Sequence, residues 1–433
     1  MLTQVAIAPI PEASTRGAEQ ATDPIPYRWG FLAMLALSNT LASLDRSIVS
    51  VIAEPLKREF HVSDMAIGIL GGIAFSATYA LAVLPMGYFI DRVNRRILLS
   101  VAISIWSILT AVCAMSGNFA TLVLARMGVG AAESPGLSTS LSLIADLFPV
   151  NRRNTAISLY AAAGPVGAII SFLAGGQILS HSNWRMVFLI AGVPGLFLAM
   201  LFYFFMREPP RGNSGNSDSG PETLSFFSSI YSVMSDPVLR YAIVAITVSS
   251  GVIYSSVVWG TSFLVRVHGL TISHGVVWTG LGFGLGTAFG SILAGPVVDR
   301  FSNGNQRRVV VASVITLMIG VVSGGVMALG NTLAISLAGL DMLAVMGGFF
   351  VPGGYAIILS LAAPTRRGTT MGTASFIMTL MGTGLMPIIT GAISDALGRP
   401  DAIRIALLVT TMSLLISALC YLRVCSLLIN RTA

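Results

Sequence analysis

Twelve stretches of roughly 20 or more mostly apolar residues, each able to cross about 30 Å of hydrocarbon as a helix, run through the sequence in two groups of six. The first group occupies 29–53, 66–90, 97–115, 120–148, 155–179 and 186–206, and the second 239–265, 272–298, 309–329, 333–363, 369–393 and 403–422. Between them lies Arg207-Glu208-Pro209-Pro210-Arg211-Gly212, followed by a Gly/Ser/Asn-rich stretch with the composition of a flexible linker. Charged residues make up only 10% of the chain, against about 25% in a soluble domain. Backbone polar groups in lipid must be satisfied inside the chain, so the expected fold is an all-α membrane protein of twelve helices in two six-helix halves. The segments expected are 1–27, a disordered tail; 28–206, the first half; 207–237, the linker; 238–424, the second half; and 425–433, a second tail.

Basic residues set the orientation, since cytoplasmic loops collect Lys and Arg. With the amino terminus inside, 17 of the 25 fall in inner loops and tails and 6 in outer ones, leaving Arg46 and Arg126 within spans. Both termini are therefore expected in the cytoplasm and the protein in the cell (inner) membrane. The net charge of +7 reflects this bias and not nucleic-acid binding.

Several chemistries are excluded. The one lysine, Lys57, precedes Arg58 and lacks a glycine-rich lead, so the chain builds no Walker A phosphate loop. His61, His181, His268 and His274 are scattered near loops with no metal-ligand pairing, and Cys113, Cys420 and Cys425 have no metal or redox spacing. No cofactor or metal is expected. An intramembrane enzyme would need a nucleophile and base, and Ser134-Pro135-Gly136 beside Glu133 reads as a helix distortion.

Four charges interrupt the apolar runs: Asp45 and Arg46 in the first, Arg126 and Glu133 in the fourth. A charge at the bilayer centre costs about 2.5–3.5 kcal/mol on insertion scales, so such residues are paired and functional as a rule. Counted from the outer ends of their helices, Asp45 lies ~12 Å deep and Arg126 ~9 Å deep, within pairing range. Glu133, two turns on from Arg126, lies ~10 Å deeper on the same face, and Arg46 has the reach to swing between the two acids. A midplane carboxylate whose arginine neighbour changes with conformation is a proton switch. Asp45 and Glu133 are the expected proton-coupling acids, and Arg46 and Arg126 the ligands of an anionic head group. A purely structural reading has two ion pairs locking the first helix to the fourth.

The halves repeat one another. Gly87-Tyr88-Phe89-Ile90-Asp91-Arg92 and then Arg95-Arg96 follow the second run, and Gly295-Pro296-Val297-Val298-Asp299-Arg300 and then Arg307-Arg308 follow the eighth. The fourth and tenth runs end in Arg152-Arg153 and Arg366-Arg367. An acid at a helix end facing loop arginines makes a charge latch for a cytoplasmic gate, expected to comprise Gly87, Asp91, Arg92, Arg95, Arg96, Arg152, Arg153, Asp299 and Arg300.

The segment from Gly87 to Arg96 resembles the signature loop of the major facilitator superfamily. Arg126-Met127-Gly128-Val129-Gly130 and Gly164-Pro165-Val166-Gly167 resemble that superfamily's arginine-glycine and glycine-proline motifs. Below that level, Leu44-Asp45-Arg46, Glu54-Pro55-Leu56-Lys57-Arg58-Glu59-Phe60 and Arg207-Glu208-Pro209-Pro210-Arg211-Gly212 are similar to bacterial spinster-like transporters, whose animal relatives move sphingosine 1-phosphate and other lysolipids. The charge cluster also resembles that of anion:cation symporters, proton-coupled carriers of organic anions.

The resemblance implies a monomeric secondary transporter working by rocker-switch alternating access, with protons and an amphipathic anionic lipid or organic anion as its partners. The alternatives are a symporter of a small hydrophilic organic acid, a multidrug/proton antiporter, whose cation the two buried arginines would repel, and a membrane receptor without transport. Cavity candidates are Asn39, Tyr79, Tyr254, Ser255, Trp259, Phe350, Tyr355 and Thr373, with Asp341 as a second acid, each of which has ordinary helix packing as the competing explanation.

Overall fold

A computed structural model describes residues 27–210, 226–302, 305–362, 367–399 and 401–432, and among these all regular structure is helical. The first half contains α1 (Arg28–Phe60), α2 (Asp64–Gly71), α3 (Ile73–Arg92), α4 (Arg95–Ala114), α5 (Phe119–Glu133), α6 (Gly136–Leu147), α7 (Val150–His181) and α8 (Trp184–Phe205). After α9 (Phe226–Ser235), the second half contains α10 (Pro237–His268), α11 (Ile272–Ser302), α12 (Gln306–Leu329), α13 (Leu333–Leu361), α14 (Arg367–Ile377), α15 (Met386–Leu397), α16 (Ala402–Met412) and α17 (Leu414–Thr432), with a π-helical turn at Met378–Gly384 joining α14 to α15.

Short polar turns separate the helices, and their asparagines and threonines cap the next helix. Asn94 accepts from the backbone N–H of Ile97 at 3.1 Å, and Asn118 from that of Thr121 at 2.9 Å. Each satisfies a donor that the first turn leaves unpaired. Turns this short force successive helices antiparallel, which places the loop arginines together at one end of the bundle. That end is called arginine-rich below, and the opposite end arginine-poor.

Among the described residues, ten helical segments are long and apolar enough to span a membrane. The first and fourth apolar runs are missing from those ten because α1 carries charges along its length and the fourth run is broken. The break falls at Ser134-Pro135, where α5 ends on Glu133 and α6 begins at Gly136, because the proline supplies no N–H to continue the ladder. The second run divides at Gly72, whose ψ of −97° is not helical.

Two of the segments expected to be non-spanning contain helix. The stretch expected as a linker contains α9, while 211–225 lie outside the described residues, as do 1–26 of the expected tail. The expected tail 425–433 is the continuation of α17 as far as Thr432: Val424 and Cys425 are buried and Leu427 and Leu428 pack on the core, so the helix does not end where its hydrophobicity falls.

The halves meet along α1 with α10, α2 with α15, α3 with the π turn, and α7 with α11. These contacts lie toward the arginine-poor end. A Cβ on Gly68 would lie 2.5 Å from the Pro387 carbonyl oxygen, so α2 and α15 touch backbone to backbone there. Gly68→Ala forces the two helices apart and should open this end. In a chain whose three cysteines are changed to serine, Ser394→Cys, at a buried position beside Asp64, should then react several-fold faster with a membrane-impermeant maleimide. Unchanged labelling would show that the helices absorb the methyl without parting.

Candidate functional site

The α1 and α5 charges come together as two pairs. Arg126 Nη1 donates to Asp45 Oδ2, and Thr110 Oγ1 donates to Asp45 Oδ1 at 2.7 Å, so α1, α4 and α5 are joined at one carboxylate. Arg46 Nε donates to Glu133 Oε2 at 2.9 Å. The first pair is sealed, with side chains 2% and 4% exposed, whereas in the second Arg46 is 38% exposed and Glu133 1%. Glu133 Oε1 is buried with no hydrogen-bond partner among the described residues. It sits on the last residue of α5 because the Pro135 break ends the helix there.

Two aromatic rings organise the arginines. Phe75 and Tyr79, one turn apart on α3, stack at 5.7 Å. The Arg46 guanidinium lies 5.4 Å from the Phe75 centroid and 5.3 Å from that of Tyr79, and Arg126 lies 5.6 Å from Phe75. Ring faces hold a cation where little water does. A cavity of about 100 Å³ opens beside Arg46 and Glu133, lined also by Ser38, Asn39, Tyr79, Trp106 and Tyr160.

Of the expected cavity residues, Asn39 and Tyr79 line this space, and Asn39 Nδ2 also donates to the Tyr160 carbonyl at 2.9 Å. The others do not line it. Tyr254 Oη reaches across the interface to the Gly71 carbonyl at 3.0 Å, and Trp259 Nε1 donates to Pro387 O at 3.0 Å. Ser255 and Thr390 share a 2.7 Å hydrogen bond, and Thr390 another of 2.7 Å with Thr410. Phe350 is buried against Gly320, Thr373 is buried, and Tyr355 bonds Ser375 at 3.2 Å. This part of the second half is packed shut, and Tyr254, Trp259, Ser255 and Tyr355 spend their polar atoms in helix contacts. Asp341 is exposed, its carboxylate lying against Gly282 at the seam of α11 and α13.

At the arginine-rich end, Arg95 pairs with Asp146 at 2.6 Å and with Glu208 at 2.7 Å. Arg96 donates to the Met206 carbonyl and Arg153 to the Ala145 carbonyl. These contacts brace the first half internally, so here Arg95, Arg96 and Arg153 do not latch one half to the other. Arg92, Arg152 and Arg300 are exposed, the side chains of Asp91 and Asp299 lie outside the described residues, and Gly87 falls within α3.

The arginine-poor end holds a charge knot that the sequence did not announce. Arg266 on α10 donates to Glu54 on α1 at 2.8 Å and, through both terminal nitrogens, to Asp64 on α2 at 2.7 and 2.9 Å. Lys57 and Ser394 also donate to Asp64, and Asp395 accepts from the backbone N–H groups of Asp64 and Met65 at 2.9 and 2.7 Å. Thr110 and Phe75 were likewise missed; their signal was a hydroxyl inside an apolar run and an aromatic pair at i, i+4.

The chain matches the Major Facilitator Superfamily over residues 35–284 and 274–427. An MFS-type efflux pump of Mycolicibacterium smegmatis is 25% identical over 91% of each chain. Protein spinster homolog 1 of Xenopus tropicalis is 25% identical over 87% of this chain and 75% of its own length. Among solved structures, a bacterial homologue of the human lysosomal transporter Spinster, in an inward-facing, unoccupied conformation, superposes with a TM-score of 0.83 and 26% identity over 93% of this chain and 98% of that one.

Proposed function

The chain belongs to the major facilitator superfamily, and we propose on that premise that it is a proton-coupled secondary transporter of an amphipathic or organic anion. The observation that carries the reading is the asymmetry of the Arg46–Glu133 pair: a buried acid with one oxygen paired and the other free, facing a base that is 38% exposed. An anion arriving in the cavity competes with Glu133 for Arg46. The displaced carboxylate, buried and without its cation, takes a proton, so anion binding and protonation are linked. Arg126 is held on Asp45 and keeps α5 fixed while this exchange occurs.

Alternating access follows from where the contacts lie. The arginine-poor end is closed by the Arg266 knot and by α2 on α15. Under the orientation given by the arginines, this is an inward-facing state. The other end closes when the halves rock, bringing Arg92, Arg152 and Arg300 toward the opposite half. The likeness to spinster proteins favours a lipid with a phosphate or carboxylate head, the tail extending between the halves. The small cavity volume, about 100 Å³, favours instead a small hydrophilic acid.

Reconstitution in liposomes that hold a pH-sensitive dye tests both. Proton flux is expected on adding lysophospholipid or sphingosine 1-phosphate, and Glu133→Gln should reduce it at least tenfold while leaving anion binding in place. Flux with a sugar acid alone selects the second reading, and undiminished flux in Glu133→Gln removes the coupling role of this acid.

A further inference from the structure

The start of α12 is a pseudo-repeat of the start of α4. In α4 the cap Asn94 is followed by Arg95 and Arg96, which are consumed internally by Asp146, Glu208 and the Met206 carbonyl. In α12 the cap Asn305 leads to Arg307 and Arg308, and these side chains are exposed with no ion pair among the described residues. With Arg300 at the end of α11 they line a cavity of about 680 Å³. Three guanidinium groups without an ion pair among the described residues therefore converge at the arginine-rich end, beside the amino-terminal, partly positive end of a helix.

An apolar groove starts one turn further along the same helix. Val311 lines the arginine cavity, and Val314 and Ile315 begin a second space of about 600 Å³ between α12 and α13. Its lining includes Ile315, Met318, Val322 and Met342, which are 48%, 43%, 64% and 45% exposed. The single hydroxyl in it, on Ser323, is satisfied by the Ile319 carbonyl at 2.8 Å. From Val314 to Val326 the groove rises ~18 Å along the helix axis. Apolar side chains this exposed on a membrane-spanning helix face hydrocarbon, and the arginines below them lie where phosphate head groups lie.

We propose that this corner binds one anionic phospholipid of the surrounding leaflet, with its phosphate on Arg300, Arg307 and Arg308 and one acyl chain in the α12–α13 groove. Charge complementarity selects the head: arginine forks match phosphate oxygens, and basic clusters at the ends of spanning helices attract anionic lipid. The groove selects a tail, so a soluble phosphate meets half the site. The site lies outside the first-half cavity and does not depend on what that cavity carries.

Native mass spectrometry of the purified full chain with added phosphatidylglycerol, phosphatidylcholine or inorganic phosphate tests the proposal. The wild type should retain phosphatidylglycerol at least tenfold more than phosphatidylcholine. Arg307→Ala with Arg308→Ala should abolish that preference, and Ile315→Trp, which fills the end of the groove nearer the arginines and keeps them, should reduce phosphatidylglycerol retention while inorganic phosphate is unaffected. Unchanged melting temperature separates these effects from misfolding. Equal retention of the two lipids by the wild type, or an intact preference in the double variant, would overturn the proposal. Unchanged phosphatidylglycerol retention in Ile315→Trp would overturn the seating of the tail.

Discussion

Arg266→Ala opens the arginine-poor end of the protein. The arginine is 15% exposed and carries the pairing of two acids, Glu54 and Asp64, whose side chains are 7% and 3% exposed. Removing one partner of a buried pair costs about 3–5 kcal/mol because the other charge stays in a medium that solvates it poorly. Asp64 keeps Lys57 and Ser394, but Glu54 loses its one ion-pair partner among the described residues. The cost falls on the closed arrangement alone, since both acids lie on the first half and meet water once the second half moves away. Even the lower figure shifts the ratio of closed to open forms by roughly a hundredfold.

The readout is labelling of Ser394→Cys in a chain without its native cysteines. Both reference and variant then lack the same Ser394 hydrogen bond, so the comparison isolates Arg266. Labelling from the arginine-poor side should rise steeply, and Arg266→Lys, which keeps a charge but loses the fork across two acids, should fall between. Labelling at the wild-type rate in Arg266→Ala would mean that the helix contacts around Gly68 close this end without help from charge.

This knot also marks how far the sequence could be read. The twelve apolar runs, the division into halves and the four charges in α1 and α5 are local signals, each carried by residues close together in the chain. The knot joins Glu54 and Asp64 to Arg266, some two hundred residues away, and no periodicity records that meeting. Which way the aromatic and hydroxyl residues of the second half face was not legible, for a related reason. A tryptophan or serine on a helix face has the same spacing whether it faces a cavity or another helix, and only the position of Pro387 shows that Trp259 is spent on packing. Asn39 and Tyr79 were legible because they lie within two turns of charges or on the helix face that touches them. The end of α5 at Glu133 was also foreshadowed, by Pro135 two residues later.

Arg126→Ala should destabilise the protein more than any other single change in the first half. Asp45 is 3% exposed, and with its arginine gone it keeps only the Thr110 hydroxyl. An uncompensated buried carboxylate costs about 3–5 kcal/mol. Combining Asp45→Asn with Arg126→Gln removes both charges while retaining a donor and an acceptor across α1 and α5. Most of the thermal stability should therefore return, since neutral replacement of a buried pair is often close to neutral.

Transport is the separate question, and the two explanations of the cluster part here. On the proposed function, a pair that only locks α1 to α5 predicts a double variant that transports as the wild type does. If the Asp45–Arg126 pair also sets the field in which Glu133 exchanges Arg46 for a proton, the double variant folds and binds but couples poorly. Removing one positive and one negative charge leaves the net charge unchanged but alters the potential at Glu133, because the two sites are at different distances from it. Stability recovered together with proton-coupled transport would reduce Asp45 and Arg126 to a structural brace; stability recovered without it would make them part of the switch.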